Sequence, residues 1–311
     1  MLAAACPACQ EPGWLQSFER HCTIVHTPHG GRGTQAMLLN TENGPLYFET
    51  VGSGPPLVFL SGWAMTAECW RPTAALLGGR YHCLLYDARG VGRSQPVALD
   101  ARFEIEDHAD DLHRIVEAAQ VFDAVLIGHD VGAFVAAQLA AMHPQDARAL
   151  VVVSPRPGLP EDDVKNLGLF TPAQLALREL AAFPLIRNIV TRRFYRAPRP
   201  WRDRLSSDFA ELSPRAAYET ALAASSFDAI ATLERAVGES AAPALFVCGE
   251  KDKKGTAEAR RLFALSKAGK LATLRGCGFL PMLEYPKQFA KLIDDFAAIA
   301  AVASPRALSH R

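Results

Sequence analysis

The stretch Val125-Leu126-Ile127-Gly128-His129-Asp130-Val131-Gly132-Ala133-Phe134 decides the fold: an apolar run, a G-x-D-x-G pentapeptide, then small helix-forming residues. This order predicts strand, sharp turn and helix. Small residues at 128 and 132 let the strand and the helix approach closely, and the residue between them is forced into a strained conformation with its side chain held above the sheet. That side chain is a carboxylate, able in principle to attack an alkyl carbon or to move a proton.

The chain has 311 residues, 49% of them hydrophobic and 21% charged, which predicts one large globular domain with room for an inserted lobe. Thirty-three basic residues balance thirty-three acidic ones, so no net field recruits nucleic acid or an anionic membrane. No apolar stretch is long enough to span a membrane, and the first basic residue, Arg20, comes too late for a signal peptide's charged start. Seven scattered cysteines, several in apolar runs, point to a reducing cytoplasm and not to a disulfide framework. The expected partner is a small-molecule substrate; no cofactor and no metal are expected, and the oligomeric state is left open.

Residues 1–35 are expected to form an irregular extension. It carries Cys6-Pro7-Ala8-Cys9, a C-x-x-C without the paired second half of a usual zinc site. From position 36, short apolar runs alternate with longer helical ones, the signature of βαβ units on a parallel sheet. Strands are expected at Leu57–Leu60, His82–Tyr86, Ala124–Ile127, Leu150–Val153, Ala244–Cys248 and Leu271–Leu274, with helices such as Ile105–Ala119 and Ala133–His143 between them. The strand signal vanishes from 155 to 242, where helical sequence is broken by prolines, so a helical insertion is expected there. The α/β core is thus assigned to 36–154 and 243–301, and residues 302–311 to a frayed tail.

Three motifs resemble the α/β-hydrolase superfamily. They are Gly52-Ser53-Gly54-Pro55-Pro56-Leu57-Val58-Phe59-Leu60-Ser61-Gly62-Trp63, Asp87-Ala88-Arg89-Gly90-Val91-Gly92-Arg93-Ser94, and the turn at Asp130. The resemblance spans roughly residues 36–298 and implies an α/β fold with a mostly parallel central sheet, flanking helices and an inserted helical cap. An aspartate at the turn is similar to the epoxide hydrolase and haloalkane dehalogenase branch. In that branch the Asp forms an alkyl ester, which a His-activated water then hydrolyses. By the same resemblance, Val247-Cys248-Gly249-Glu250-Lys251-Asp252 implies Asp252 as the acid that orients the base.

The base itself is missing from its expected place. Arg275-Gly276-Cys277-Gly278-Phe279-Leu280-Pro281 matches the family's glycine-rich turn after the last strand, but the histidine slot holds Phe279. Phenylalanine neither gives nor takes a proton, so an ester on Asp130 would lack its water-activating base. His129 adjoins Asp130 on a tight turn where neighbouring side chains diverge. His108 and His113 are five apart on one expected helix, about 140° around it, and so do not share a face. His21, His26 and His29 belong to the N-terminal extension.

The oxyanion region departs as well, with Ser61-Gly62-Trp63 where the family usually has His-Gly. Backbone N–H groups of Trp63 and Val131 remain the expected oxyanion donors, since backbone donors do not depend on side-chain identity. Trp63 also has an indole N–H that could serve the pocket. Ser61, Trp63, His129 and Phe279 are expected around the substrate, with Tyr195 and Tyr218 from an aromatic-rich cap.

Three functions remain open. The first is an enzyme of secondary metabolism, of isomerase, cyclase or lyase type, in which Asp130 moves protons on a small, mostly apolar metabolite without a hydrolytic base. The second is an Asp-nucleophile epoxide hydrolase, or less readily a dehalogenase, with a base from elsewhere. The third is a non-catalytic pseudo-hydrolase that binds a ligand.

Overall fold

Leu57, Val58, Phe59 and Leu60 are all fully buried, although alternate side chains on a strand point to opposite faces. A strand that is apolar on both faces belongs in the middle of a parallel sheet covered on both sides. The computed structural model describes residues 22–25, 34–156 and 197–303, and places that strand, β4 (Pro56–Leu60), in the interior of a nine-stranded sheet.

The other strands are β1 (Cys22–Val25), β2 (Thr34–Thr41), β3 (Gly44–Val51), β5 (His82–Tyr86), β6 (Ala124–His129), β7 (Ala147–Val153), β8 (Ala244–Gly249) and β9 (Gly269–Leu274). Numbered over the described residues, the helices are α1 (Arg71–Leu77), α2 (Ile105–Ala119), α3 (Val131–Met142), α4 (Arg199–Glu211), α5 (Pro214–Ala223), α6 (Phe227–Gly238), α7 (Lys253–Leu265), α8 (Pro281–Glu284) and α9 (Pro286–Ala303). Sheet order is β1-β2-β3-β5-β4-β6-β7-β8-β9; the pairs from β5 to β9 are parallel and those from β1 through β3 to β5 are antiparallel.

All six strands expected from the sequence are present, most extended by a residue or more at an end. The antiparallel strands β1 to β3 were not expected. β2 and β3 form a hairpin whose loop is Glu42-Asn43, with Gly44 at φ +123°. An Asn-Gly pair between alternating strands marks such a turn.

Chain direction across the sheet reverses at β4, whose neighbours are β5 on one side and β6 on the other. Loops leaving β4 and β6 therefore diverge, opening a crevice at the carboxyl ends of the strands, the usual ligand position in open α/β sheets. The pleat divides the core into two. Val58, Leu60 and Leu126 pack with α2, α3 and α6 on one face, whereas Leu57, Phe59 and Ile127 pack with Trp70 and α9 on the other.

The stretch expected to form one insertion divides among the described residues. α4 and α5 lie over the crevice loops, joined by bonds such as Ser213 N–H to Gly90 O at 3.4 Å. α6 instead buries Ala229, Thr232, Leu233 and Val237, with Ala229, Leu233 and Val237 in the core cluster that contains α3. Its amphipathic stripe requires a broad apolar surface, which the sheet-flanking layer supplies. Residues 1–21, 26–33, 157–196 and 304–311 lie outside the described residues, and with them most of the expected extension, the first half of the expected cap and the tail. Among the described residues no helix is long and apolar enough to cross a membrane.

One buried ion pair braces the loop after β5. Arg89 bonds Asp111 of α2 through both Nε and Nη2 at 2.7 Å, with side chains 5% and 4% exposed. Truncating one partner strands the other charge in the interior, so Arg89→Ala is expected to lower unfolding free energy by about 3–5 kcal/mol. Urea denaturation should show this loss, and a much smaller one if Asp111 is simultaneously replaced by Leu.

Candidate active site

Asp130 stands between β6 and α3 at φ 53°, ψ −118°, backbone angles costly for any residue with a Cβ. The surrounding glycines explain how the turn closes. A Cβ on Gly132 would lie 2.4 Å from Leu60 O, and one on Gly128 would lie 2.4 Å from Gly132 O. The turn is pinned from the other side by Asp130 N–H, which donates to Val153 O at 3.1 Å. The carboxylate is 5% exposed, and its Oδ2 accepts a long bond of 3.4 Å from Trp63 N–H. An expected oxyanion donor thus already faces the carboxylate. Val131 is the first residue of α3, where helical N–H groups have no partner within the helix.

Phe279 occupies the slot expected for the base. Its carbonyl accepts from His129 Nε2 at 2.9 Å, and the two rings lie 4.5 Å apart. A carbonyl can only accept, so His129 carries its proton on Nε2. Its other nitrogen faces Gly62, where a Cβ would come within 2.4 Å. His129 is therefore a buried tie between the elbow and the loop after β9, directed away from a substrate's proton.

Asp252 is not left without a partner. Arg156, two residues past Ser154 at the end of β7, donates from Nη2 to Asp252 Oδ1 at 2.5 Å and lays its guanidinium 3.9 Å from the centre of the Phe279 ring. The same carboxylate caps α7, accepting from Gly255 N–H at 3.2 Å. A guanidinium is permanently charged and has no acceptor. It balances the charge of Asp252 and cannot accept a proton. Arg156 carries no signal in the sequence beyond its position after a strand. Around it, Ser154 Oγ, Arg156 Nε and Asp252 Oδ2 are buried and have no hydrogen-bond partner among the described residues.

A cleft partly open to solvent lies beside the elbow. Trp63, Val91, Val131, Val135, Leu212 and Ala217 make its wall largely apolar, and Ser61 also reaches it. The expectation that His129 and Phe279 line the pocket is not met by this cavity: at 0% and 5% exposure they, like Asp130 at 5%, are set behind its wall, and Phe279 is covered by the Arg156 guanidinium. The Trp63 indole does not donate into the cavity either; its Nε1 donates to Ala217 O of α5 at 2.8 Å. Tyr195 and the side chain of Tyr218 lie outside the described residues, as do His21, His26 and His29. Among the described residues, no histidine stands between Asp130 and Asp252.

A further histidine does shape the cavity. His108 of α2 lies in its wall, and its Nε2 bonds Thr220 Oγ1 of α5 at 3.0 Å. Burial, followed by the nearby Arg89 charge, lowers its pKa from 6.5 to about 4. Unfolded chains thus take up a proton below about 6.5 that the folded one refuses until about 4. Stability is expected to fall as pH drops through that window and to be indifferent to this group above it. Urea midpoints from pH 7 to 4 should decline in the native protein and flatten in His108→Gln.

A model of the alpha/beta hydrolase family matches residues 57–292. Proteins named as candidate carbamate hydrolase RutD from Azorhizobium caulinodans and Variovorax paradoxus are 36% identical over 109 residues and 38% over 113. Those matches cover 35% of this chain and only 40% and 42% of the relatives' own lengths. Among solved structures, an esterase from Thermogutta terrifontis superposes with TM-score 0.70 at 18% identity, covering 90% of this chain and 98% of that one. An esterase from Exiguobacterium antarcticum gives TM-score 0.72 at 17% identity, covering 84% and 98%. At such identities the likeness is one of fold.

Proposed function

The chain belongs to the α/β-hydrolase family, and on that premise we propose an enzyme whose Asp130 moves protons on a small, mostly apolar organic substrate, without a hydrolytic histidine. The reaction class is isomerisation, cyclisation or elimination. One observation carries this reading: the base position is filled by Phe279 with the Arg156 guanidinium stacked on it and bound to Asp252. Neither group can accept a proton from water.

In this mechanism the substrate lies in the apolar cavity under α4 and α5, the described part of the proposed cap. Asp130 takes a proton from carbon or hydroxyl and returns it to another atom of the same substrate. Negative charge that develops on a substrate oxygen meets the Trp63 and Val131 N–H groups, which the fold holds in place beforehand. The largely apolar wall offers competing water few hydrogen-bond partners.

Hydrolysis is the second reading, favoured by the name of the partly matching relatives. Two routes would serve it: Asp130 as a general base on water, or Asp130 as a nucleophile with a base from the extension. The third reading, a ligand-binding pseudo-hydrolase, has no observation in its favour beyond the missing histidine.

Turnover in water enriched with oxygen-18, followed by mass spectrometry of product and protein, separates these readings. Product that forms without the heavy isotope, and a loss of about 10²–10⁴-fold in kcat for Asp130→Asn, are the expected results. Solvent oxygen in the product would establish hydrolysis, and an active Asp130→Asn variant would remove both catalytic readings. As a complement, an epoxide probe should leave at most a stoichiometric adduct on native Asp130. The Phe279→His, Arg156→Ala double variant, with an imidazole beside Asp252, should turn such an adduct over.

A further inference from the structure

On the sheet edge opposite the elbow, where β6 and β7 begin, α2, the end of α3 and the turn into β7 bring His113, His143 and Asp146 together. One ligand atom from each lies within 4.8 Å of the other two. His113 Nδ1 donates to Asp146 Oδ2 at 2.7 Å, and the opposite nitrogen, Nε2, stands 3.4 Å from the Glu117 carboxylate. The His143 ring stacks on that of His113, centroids 3.6 Å apart and planes within 9°, with Nε2 3.8 Å from Asp110.

A second observation separates this cluster from an ordinary surface pair. Asp146 is fully buried, yet its Oδ1 has no partner among the described residues, and His143 Nε2 has no hydrogen bond. Leaving a buried carboxylate half-satisfied is costly, and such groups normally find a donor or a cation. Three carboxylates, Asp110, Glu117 and Asp146, surround the two imidazoles, and among the described residues none of them is ion-paired with Lys or Arg.

We propose that His113, His143 and Asp146 form a binding site for a divalent transition-metal ion of the zinc class. Two imidazoles and a carboxylate suit a borderline-soft ion, whereas calcium or magnesium would require more oxygen ligands. The metal takes the place of the proton now between His113 Nδ1 and Asp146. His113 then adopts the Nε2–H tautomer and donates to Glu117, the carboxylate–histidine–metal arrangement that orients ligating imidazoles. Stacked rings aim their lone pairs along parallel lines, so His143 must turn out of the stack to complete the site. It lies at the C-terminal cap of α3 with its side chain 23% exposed, which leaves that rotation a path toward solvent. The site is remote from Asp130 and serves the scaffold, not the chemistry.

Titration of the full-length protein with zinc, by calorimetry and by the thermal midpoint, tests this directly, with cobalt as the spectroscopic probe. One equivalent should bind and raise the midpoint; affinity should fall at least about tenfold in His143→Ala and in Glu117→Gln. Circular dichroism of the metal-free variants guards against misfolding. A Cys6→Ser, Cys9→Ser, Cys22→Ser variant should bind zinc unchanged, and the cobalt spectrum should lack a thiolate charge-transfer band. The proposal is overturned if the native protein binds no zinc, if His143→Ala binds as tightly as native, or if binding disappears with the three cysteines.

Discussion

Three polypeptide segments meet at the elbow closer than side chains permit, and the site follows from that constraint. Gly132 of α3 rests over Leu60 O at the end of β4, Gly128 lies beneath Gly132 O, and Gly62 faces both His129 and Asp130. Asp130 alone retains a side chain at the centre of this contact, at a positive φ that costs on the order of 1–3 kcal/mol. The strain persists because β6 is held between β4 and β7 and α3 is packed against α2 and α6, so the turn cannot relax without breaking the sheet. Presentation of the group at 130 is therefore a property of the scaffold. What the presented group does is decided by its surroundings.

Those surroundings are set by a problem of charge at the other end of the site. Asp252 is buried and caps α7, so its carboxylate must meet a cation or accept a large desolvation penalty. Arg156 supplies the cation, and a planar guanidinium packs best against a flat face, which Phe279 provides. Phe279, Arg156 and Asp252 are thus one mutually dependent unit, and Asp252 has a structural reason to be there that does not require a catalytic histidine. The backbone of Phe279 keeps a further role, receiving the His129 proton that fastens the elbow to the loop after β9. Charge is balanced at this position, while Asp252 Oδ2, Arg156 Nε and Ser154 Oγ stay buried without a hydrogen-bond partner among the described residues.

Much of this architecture could be read from residue order alone. Apolar runs at 57–60, 82–86, 124–127 and 244–248 are long enough and uniform enough to require a doubly covered parallel sheet, and the glycine spacing around Asp130 allows few backbone paths. The antiparallel strands β2 and β3 escaped because their burial depends on which neighbours cover each face, which local pattern does not encode. At the site, the identity of the residue in the base slot was visible, but its consequence was not. Arg156 lies nearly one hundred positions from Asp252, just past a strand, and only the parallel pairing of β7 with β8 brings the two together. The direction of Trp63 was equally hidden, since its indole partner, Ala217 O, is a backbone atom of a helix whose placement over the crevice no local signal specifies.

Trp63 joins the elbow to the roof. Its backbone N–H faces the Asp130 carboxylate, while its indole is bonded to α5 and packs edge-on against Phe209 of α4 at 6.0 Å. The roof is fastened nearby by polar contacts: Thr66 Oγ1 donates to Asp208 Oδ2 at 2.6 Å, and Arg204 approaches Glu68, which also pairs with Arg71 and Arg93. Apolar packing tolerates small sliding, but hydrogen bonds of this length do not. Access to the cavity by movement of α4 and α5 must therefore either break the Trp63 indole bond or carry Trp63 with it. In the second case the N–H that faces Asp130 moves as well, so opening the roof and disturbing the donor beside the Asp130 carboxylate become a single event.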